Sequence, residues 1–360
     1  MKICFLAGSN SVHSHKWINF ISNMGHEVIW ISLYPTSNKI PDNIEYHEFT
    51  HGILSSIYKV RKLISKLNPD IVHIHYLGYN ALLGLFSGAK NIISTPWGSD
   101  VNFGKKSFFK RLILSKILKK SKLFTCDAYF MREELKKFNV PHDKIHIINF
   151  GIDSEKFFKQ ERDLEVLEKF NISDELTIIS LRNFEPVYDI KTLIHAAQIV
   201  LKEIPTVRFL LVGKGTLEKE LKKKVQSLGI SNSVHFTGFI DNQLLPSLIS
   251  SSDIYVSTSL SDAGIASSTA EAMSCEVPVV VTDSAENDKW INDKVNGFLF
   301  SIKNHKQLAK ILIYLIKNQT LRSKVGKEGR NVIVNKNDYK NEMKKVNDLY
   351  LNFYNNYINV

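Results

Sequence analysis

A run of small residues around one carboxylate has the clearest chemical character in this chain. Residues 257–283 read STSLSDAGIASSTAEAMSCEVPVVVTD, which predicts a tight turn, a short helix and a buried strand. Backbone N–H groups at such a helix start bind anions, and the helix dipole adds to the attraction. Those N–H groups belong to Gly264, Ile265, Ala266 and Ser267. Glu271 lies one turn further on, where it either accepts hydrogen bonds from ligand hydroxyl groups or is a solvated helix residue.

Cationic and small residues after two other predicted strands could complete an anion site. Arg182 follows the strand TIISL, and its guanidinium can bind two phosphate oxygens at once. Lys214 and Gly215 end the strand in LVGKG, where they form either part of the site or an ordinary β-turn. Tyr188 either hydrogen-bonds a phosphate or packs. Lys191 either reaches the anion or lies on the solvated face of the next helix.

The first half of the chain offers candidate residues at the ends of its own predicted strands. Gly8 and Ser11 follow the first strand, and His13, in the same polar loop, either contacts a ligand or is solvated. Two histidines alternate in DIVHIHY, which puts both on one side of a strand, and His75 is nearer the carboxyl end. Asp100, in TPWGSD, either orients a ligand hydroxyl or caps the next helix.

Alternating strands and helices must position these residues. KICFLAG, KWINFISNMG and HEVIWISL indicate strand, helix and strand, and the same order continues to about residue 150. It pauses over 152–172, which we interpret as a linker, and restarts at LTIISLRN. We therefore expect an α/β fold of two Rossmann-like domains, 1–160 and 161–335, with a helix at 336–360 packing back on the first. Ligands of such sheets bind beyond the carboxyl strand ends, so the site is expected in a cleft between the domains.

Composition limits the classes of partner. The 360 residues are 44% apolar, and the sparse cysteines Cys4, Cys126 and Cys275 indicate a reducing compartment, so we expect a cytosolic protein. The net charge of +11 suits nucleic acid, an anionic membrane or an anionic substrate. Basic and aromatic residues do not alternate along a strand as they do in surfaces that bind nucleic acid, which argues against a nucleic-acid partner.

One basic segment, 105–122, has its own pattern. KKSFFKRLILSKILKKSK carries eight basic residues and no acid. Its apolar residues can share one helix face, as in a helix that lies on an anionic membrane. These residues are Phe108, Phe109, Leu112, Ile113 and Ile117. The alternative is a surface helix that packs on the sheet and has a solvated basic face.

Several stretches, in order along nearly the whole chain, resemble family 4 of the glycosyltransferases, whose fold is GT-B. They are GHEVIWIS, PDIVHIH, TPWGSD, INFGIDSEKF, LVGKGTLEKEL, VHFTGFID, the segment 253–283 and VNGFLF. The resemblance implies transfer of a sugar, with retention, from a nucleotide-sugar donor to a glycan or lipid-linked acceptor. It implies that Arg182 and the helix mouth hold the diphosphate, that Glu271 binds the ribose, and that no cofactor takes part.

The sequence also departs from the family pattern. The family has a second acid eight positions before the glutamate, where this chain has Ala263 with Asp262 beside it. Val187 and Tyr188 stand near the position of a family lysine, and Trp97 stands where the family often has histidine. Either Asp262 contacts the donor sugar in place of that acid, or the main-chain groups of Ala263 to Ile265 hold the sugar. No Asp-x-Asp occurs in the chain, from which we predict activity without a metal.

Two other functions fit the same fold. A sugar-nucleotide epimerase would need an acid–base pair that the sequence does not assign, and a non-catalytic nucleotide-sugar-binding protein would tolerate the missing acid and lysine. For a transferase with a basic membrane-facing segment, we expect a role in cell-surface polysaccharide or glycolipid synthesis at the inner face of the cell membrane.

Overall fold

The computed structural model describes residues 1–36, 39–50, 52–98, 100–101, 108–262 and 264–358. The described chain forms two compact units. Unit 1 comprises Met1–Gly151 with Lys340–Val360, and unit 2 comprises Ile152–Tyr339.

Unit 1 is built on a seven-stranded parallel sheet with the strand order β3-β2-β1-β4-β5-β6-β7. Its elements up to residue 147 are β1 Lys2–Leu6, α1 Val12–Asn23, β2 Glu27–Ser32, β3 Ile44–Glu48, α2 Ile53–Leu67, β4 Ile71–His75, α3 Tyr79–Phe86, β5 Ile92–Thr95, α4 Phe108–Lys120, β6 Leu123–Cys126, α5 Tyr129–Lys136 and β7 Ile145–Ile147. The central strands are buried on both faces, as expected of a parallel sheet covered by helices.

The first helix begins earlier than its apolar spacing predicts. Ser11 is the N-cap of α1, because its Oγ accepts a hydrogen bond from the Ser14 N–H at 3.3 Å. His13 therefore lies in the first turn of a helix, and the predicted polar loop at this position is wrong.

Unit 2 has a six-stranded parallel sheet with the order β10-β9-β8-β11-β12-β13. Its elements are α6 Leu164–Glu168, β8 Thr177–Ser180, α7 Ile190–Glu203, β9 Arg208–Val212, α8 Glu218–Ser227, β10 Val234–Gly238, α9 Leu245–Ser250, β11 Ile254–Ser257, α10 Ser267–Ser274, β12 Val279–Thr282, α11 Asn287–Trp290, β13 Phe298–Phe300, α12 His305–Lys317 and α13 Gln319–Lys336. The prediction of two parallel Rossmann-like units is confirmed.

The predicted linker 152–172 is not a simple connection. It contains α6, and Phe157, Val166 and Leu167 are buried in the core of unit 2. Their burial moves the start of unit 2 to Ile152, where the sequence had suggested 161. The last helix, α14 Tyr339–Tyr357, contributes its residues from Lys340 onward to unit 1.

The basic helix α4 packs differently from the predicted membrane-facing arrangement. Leu114, Ile117 and Leu118 are buried in the core of unit 1, whereas Leu112 is 43% exposed. Ile117 therefore faces the sheet, not a membrane. Residues 105–107 of the predicted segment lie outside the described residues. In the part of the chain that the structure describes, we find no helix whose length and hydropathy suit a membrane span.

Candidate functional site

A buried guanidinium is the centre of the candidate site in unit 2. Arg182 lies just beyond the carboxyl end of β8, and its side chain is only 9% exposed. Its Nη2 forms an ion pair with Asp262 Oδ1, and its Nη1 donates to Ser268 Oγ at 3.5 Å. Its Cζ lies 4.3 Å from the centre of the Tyr188 ring. The structure therefore brings together three sequence-predicted residues and a serine that the prediction missed.

The mouth of α10 has the geometry expected for an anion site. Gly264 has a φ of +62°, a left-handed conformation that favours glycine. Ala266 is the N-cap and has no side-chain oxygen, so it does not cap the first-turn N–H groups. Ser267 is exposed, and Glu271 lies half-buried one turn along the helix. Ala263, which replaces the family's second acid, lies outside the described residues.

The Tyr255 hydroxyl on β11 contacts two hydroxyl groups in the first turn of α10. Ser268 Oγ lies 2.9 Å from Tyr255 Oη, and Thr269 Oγ1 donates to the same tyrosine oxygen at 3.4 Å. Burial raises the pKa of Tyr255, whose side chain is fully enclosed. A clue to Ser268 was present in the sequence, because it belongs to the same small-residue run. Tyr255 reads as an ordinary strand residue.

The glycine loop after β9 packs directly against the segment that carries Arg182. A Cβ on Gly215 would come within 2.5 Å of the Phe184 carbonyl carbon and oxygen, and the Phe184 N–H donates to Lys214 O at 3.0 Å. The Lys214 Nζ lies 5.6 Å from the centre of the Phe239 ring, which is 69% exposed. The loop is therefore a close-packed neighbour of Arg182 with an exposed lysine and aromatic ring at its edge.

Lys191 points to a different partner. Its Nζ lies 2.5 Å from Glu220 Oε1 on α8, and both side chains are about half exposed. This arrangement fits the alternative of a solvated helix face. Tyr188 packs on Arg182, and its backbone oxygen accepts a hydrogen bond from Thr258 Oγ1 at 2.8 Å.

In unit 1, the predicted residues at the start of the chain have structural contacts of their own. Gly8 lies two residues beyond the end of β1, and Ser11 caps α1 as described above. The His13 ring lies 4.2 Å from the Phe150 ring and 5.8 Å from the Trp97 ring, measured between centroids. Burial lowers the pKa of His13, so its imidazole is neutral at physiological pH.

His75 is a buried histidine surrounded by aromatic rings. It is 1% exposed, and its ring lies 5.0 Å from Trp17 and 6.1 Å from Trp97. Burial, with a smaller effect from the His13 charge, lowers the pKa of His75 to about 3. Among the described residues, neither ring nitrogen of His75 has a hydrogen-bond partner, and nor does the buried Trp97 Nε1. Most buried polar atoms in proteins have a hydrogen-bond partner, so these unsatisfied atoms of unit 1 are exceptional.

The neighbouring histidine is held by a chain of hydrogen bonds. Trp17 Nε1 donates to Tyr350 Oη at 3.3 Å, and that hydroxyl bonds to His73 Nδ1. The other ring nitrogen of His73, Nε2, lies 2.6 Å from Thr95 Oγ1. The chain ends at Thr125 Oγ1, 2.5 Å from the Thr95 hydroxyl. Tyr350 belongs to α14, so this network fastens the last helix to the unit 1 sheet.

Asp100 uses its carboxylate to hold a backbone loop. Its Oδ2 accepts from the Leu77 N–H at 2.6 Å, and its Oδ1 accepts from the Trp97 and Val101 N–H groups at 3.1 and 3.0 Å. Burial raises its pKa, while these backbone bonds act in the opposite direction. These contacts make Asp100 a positioning residue for the loop backbone.

Within the described residues, we find no cluster of three or more histidine, cysteine or acidic side chains that could hold a metal ion.

Two family models match the chain. Residues 163–332 match glycosyl transferases group 1, and residues 2–128 match glycosyl transferase 4-like. The two matched regions fall within the two structural units.

Curated relatives and solved structures agree with these matches. An uncharacterized glycosyltransferase of Methanocaldococcus jannaschii is 26% identical over 84% of this chain and 72% of its own length. Alpha-monoglucosyldiacylglycerol synthase of Acholeplasma laidlawii is 23% identical over 91% of this chain and 89% of its own length. The structure of Anabaena HepE in complex with UDP superposes with a TM-score of 0.83 at 17% identity, covering 98% of this chain and 100% of the other.

Proposed function

Because this chain belongs to the family 4 glycosyltransferases with the GT-B fold, we propose that it moves a hexosyl group from a nucleotide sugar to a glycan or lipid-linked acceptor. We propose further that the transfer retains the anomeric configuration and needs no metal ion. The observation that carries the proposal is the contact of Arg182 with Ser268 in the first turn of α10, 3.5 Å between Nη1 and Oγ.

The leaving nucleoside diphosphate is the species that these groups suit. Negative charge develops on it as the glycosidic bond breaks, and both Arg182 and the first-turn N–H groups of α10 are fixed in advance. Preorganised donors aimed at developing charge typically contribute a factor of about 10²–10³ each to turnover. Because Arg182 and the first turn of α10 supply hydrogen-bond donors for the diphosphate, and because the chain lacks Asp-x-Asp, we propose that no metal is required to bind it.

Asp262 has two tasks in this proposal. Paired with Arg182, it holds the guanidinium in place before a donor binds. It lies beside the position of the family's second acid, so its other carboxylate oxygen, Oδ2, is the candidate to accept a hydrogen bond from a donor-sugar hydroxyl.

The donor and acceptor classes are drawn from the relatives. HepE has been crystallised with UDP and with UDP-glucose, which supports a UDP-sugar as the first donor to test. The Acholeplasma relative is named for a glucosyldiacylglycerol product, which supports a lipid acceptor and a role in glycolipid or cell-surface polysaccharide synthesis. In unit 1, His75 and Trp97 Nε1 are the candidate contacts for acceptor hydroxyls.

A donor screen tests the proposal. The full-length protein is incubated with UDP-, GDP- and ADP-sugars, and thermal shift and release of free nucleoside diphosphate are measured with and without excess EDTA. We expect stabilisation and release with one nucleotide class, unchanged by EDTA. NMR of the product assigns the anomer. A sugar nucleotide that is converted to its epimer without release of nucleoside diphosphate contradicts the transferase function, and activity lost in EDTA and restored by Mg²⁺ contradicts metal independence.

A further inference from the structure

Three helices form a continuous outer layer on one face of the unit 1 sheet. α2 packs beside α3, and α3 packs beside α4. Their inward side chains share one hydrophobic core with the strands. Lys120 Nζ on α4 donates to Leu85 O near the end of α3 at 2.8 Å, and burial and the nearby Arg61 charge on α2 lower the pKa of Lys120. The outward sides of the three helices therefore form one surface, which we call the α2–α4 face.

The charge of the α2–α4 face is of one sign. The three helices contain nine lysine and arginine residues and no aspartate or glutamate. Eight of the nine are exposed: Lys59, Arg61, Lys62, Lys66, Lys110, Arg111, Lys116 and Lys119. The basic helix α8 of unit 2 differs, because its four lysines are accompanied by Glu218, which pairs with Lys222, and by Glu220, which pairs with Lys191. The helix α12 has three lysines and no acid of its own, but its Lys317 pairs with Glu203 of α7.

Large apolar side chains stand among these cations. Single exposed apolar residues are ordinary on protein surfaces. The observation here is that several of them lie together and among basic side chains. The exposed fractions on the α2–α4 face are 81% for Leu54, 71% for Tyr58, 61% for Tyr79, 46% for Phe86 and 43% for Leu112. Cations together with aromatic and aliphatic side chains are the composition of surfaces that bind at the membrane interface.

We propose that the α2–α4 face binds the surface of an anionic lipid bilayer. The unbroken positive charge complements anionic headgroups, and leucine and aromatic side chains can enter the region between headgroups and acyl chains. A nucleic acid would use the cations but has no comparable use for exposed Leu54 and Leu112. The proposed surface extends beyond the basic segment 105–122, because α2 supplies four of the eight exposed cations and its two most exposed apolar residues. The proposal does not depend on the transfer reaction.

Vesicle co-sedimentation of the full-length protein tests this inference. Vesicles of phosphatidylcholine with 30% phosphatidylglycerol are compared with vesicles of phosphatidylcholine at 50 and 500 mM NaCl. We expect binding to the anionic vesicles at low salt, and at least a tenfold loss of affinity at high salt because surface charges are screened.

Two charge-matched variants locate the surface. The test variant carries Lys59→Gln, Lys62→Gln, Lys116→Gln and Lys119→Gln. The control carries Lys219→Gln, Lys223→Gln, Lys324→Gln and Lys327→Gln, which are exposed on unit 2 and remove the same charge. We expect the test variant to bind anionic vesicles at least tenfold more weakly, and the control to stay within about twofold of the parent protein. Circular dichroism and nucleoside diphosphate binding check that both variants are folded, so a failed transferase assay is distinguishable from a failed membrane assay.

A second pair of variants tests the apolar contribution. Leu54→Ser with Tyr58→Ser is compared with Ile302→Ser and Tyr314→Ser, which are 43% and 54% exposed in unit 2. Only the first pair should weaken vesicle binding, by about fivefold or more. Equal losses in the test and control variants, no binding of the parent protein to anionic vesicles at 50 mM NaCl, or tighter binding to a duplex oligonucleotide than to vesicles would each overturn the proposal.

Discussion

Replacing Arg182 with leucine removes the cation from a nearly buried ion pair and leaves its carboxylate behind. The two side chains are only 9% and 11% exposed, so water can do little to solvate Asp262 once its partner is lost. The substitution also removes the contact with the Tyr188 ring. Arg182→Leu therefore changes stability and the proposed phosphate contact together, and the two effects must be separated.

The expected cost of the single substitution follows from the burial of the pair. Removing one partner of a buried ion pair typically destabilises by about 3–5 kcal/mol, because an unpaired charge stays in a poorly solvated site. With a urea m value of about 2–3 kcal/mol/M, the unfolding midpoint should fall by roughly 1–2 M. The double variant Arg182→Leu/Asp262→Asn removes both charges, so most of this loss should be recovered.

Activity should not follow stability. The double variant still lacks the guanidinium, and we expect its kcat/KM for the identified donor to stay about 10²-fold or more below the parent value. Arg182→Lys is the matched control, because it keeps a cation for Asp262 but offers a point charge in place of the two-pronged guanidinium. Its unfolding midpoint should lie near that of the parent protein, while its kcat/KM should fall at least tenfold.

The assays are urea unfolding followed by circular dichroism, calorimetric titration with the nucleoside diphosphate, and steady-state kinetics. If the double variant regains turnover together with stability, Arg182 only supports the fold and the phosphate role is refuted. If Arg182→Leu unfolds at the parent midpoint, the reasoning from the buried pair is wrong instead.

Three further predictions test other parts of the structure. Because burial lowers the pKa of His75 from 6.5 to about 3, the unfolded chain binds a proton first as the pH falls. The free energy of unfolding should therefore decline from about pH 6.5 towards pH 3. In His75→Leu, the slope of this free energy against pH, measured by urea unfolding, should be smaller by about 1.4 kcal/mol per pH unit over that range. An unchanged slope contradicts the assigned pKa. Tyr350→Phe leaves the buried His73 Nδ1 without its partner and should cost about 1–3 kcal/mol in the same assay, whereas an unchanged midpoint would show that the bond is dispensable. Gly215→Ala places a Cβ 2.5 Å from Phe184 backbone atoms and should weaken nucleoside diphosphate binding at least tenfold by displacing the loop, while parent-like affinity would separate the loop from the site.

Some features of the candidate site could be predicted from the local sequence. Arg182 was identified because it follows a strongly apolar strand, and the mouth of α10 because small residues and a glycine precede a helix. Both inferences use only neighbouring residues, and both features have the predicted local structure. The pairing of Arg182 with Asp262 joins residues 80 positions apart, and no local pattern encodes it. Lys191 illustrates the same limit, because its partner Glu220 lies on a different helix.

The start of α1 and the direction of α4 were misjudged for a different reason. Apolar spacing marks the buried middle of a helix, whereas the helix begins where a capping side chain satisfies its first N–H groups. Ser11 does this at a position that reads as loop. In α4 the apolar residues are consistent with more than one buried face. Packing against the sheet buries the face that carries Leu114, Ile117 and Leu118.

The order of apolar runs determined that this chain forms two parallel α/β units. Strands that alternate with helices form a parallel sheet covered on both faces, and such strands must be apolar along their whole length. The residue types at the strand ends predict an anion site, since a guanidinium and helix-start N–H groups can bind phosphate. The tertiary structure decided which residues meet: Asp262 with Arg182, Tyr350 with His73, and three basic helices on one face of unit 1. The physical reason is that burial and pairing depend on distances in space, which the packing of distant segments creates and which adjacency along the chain does not contain.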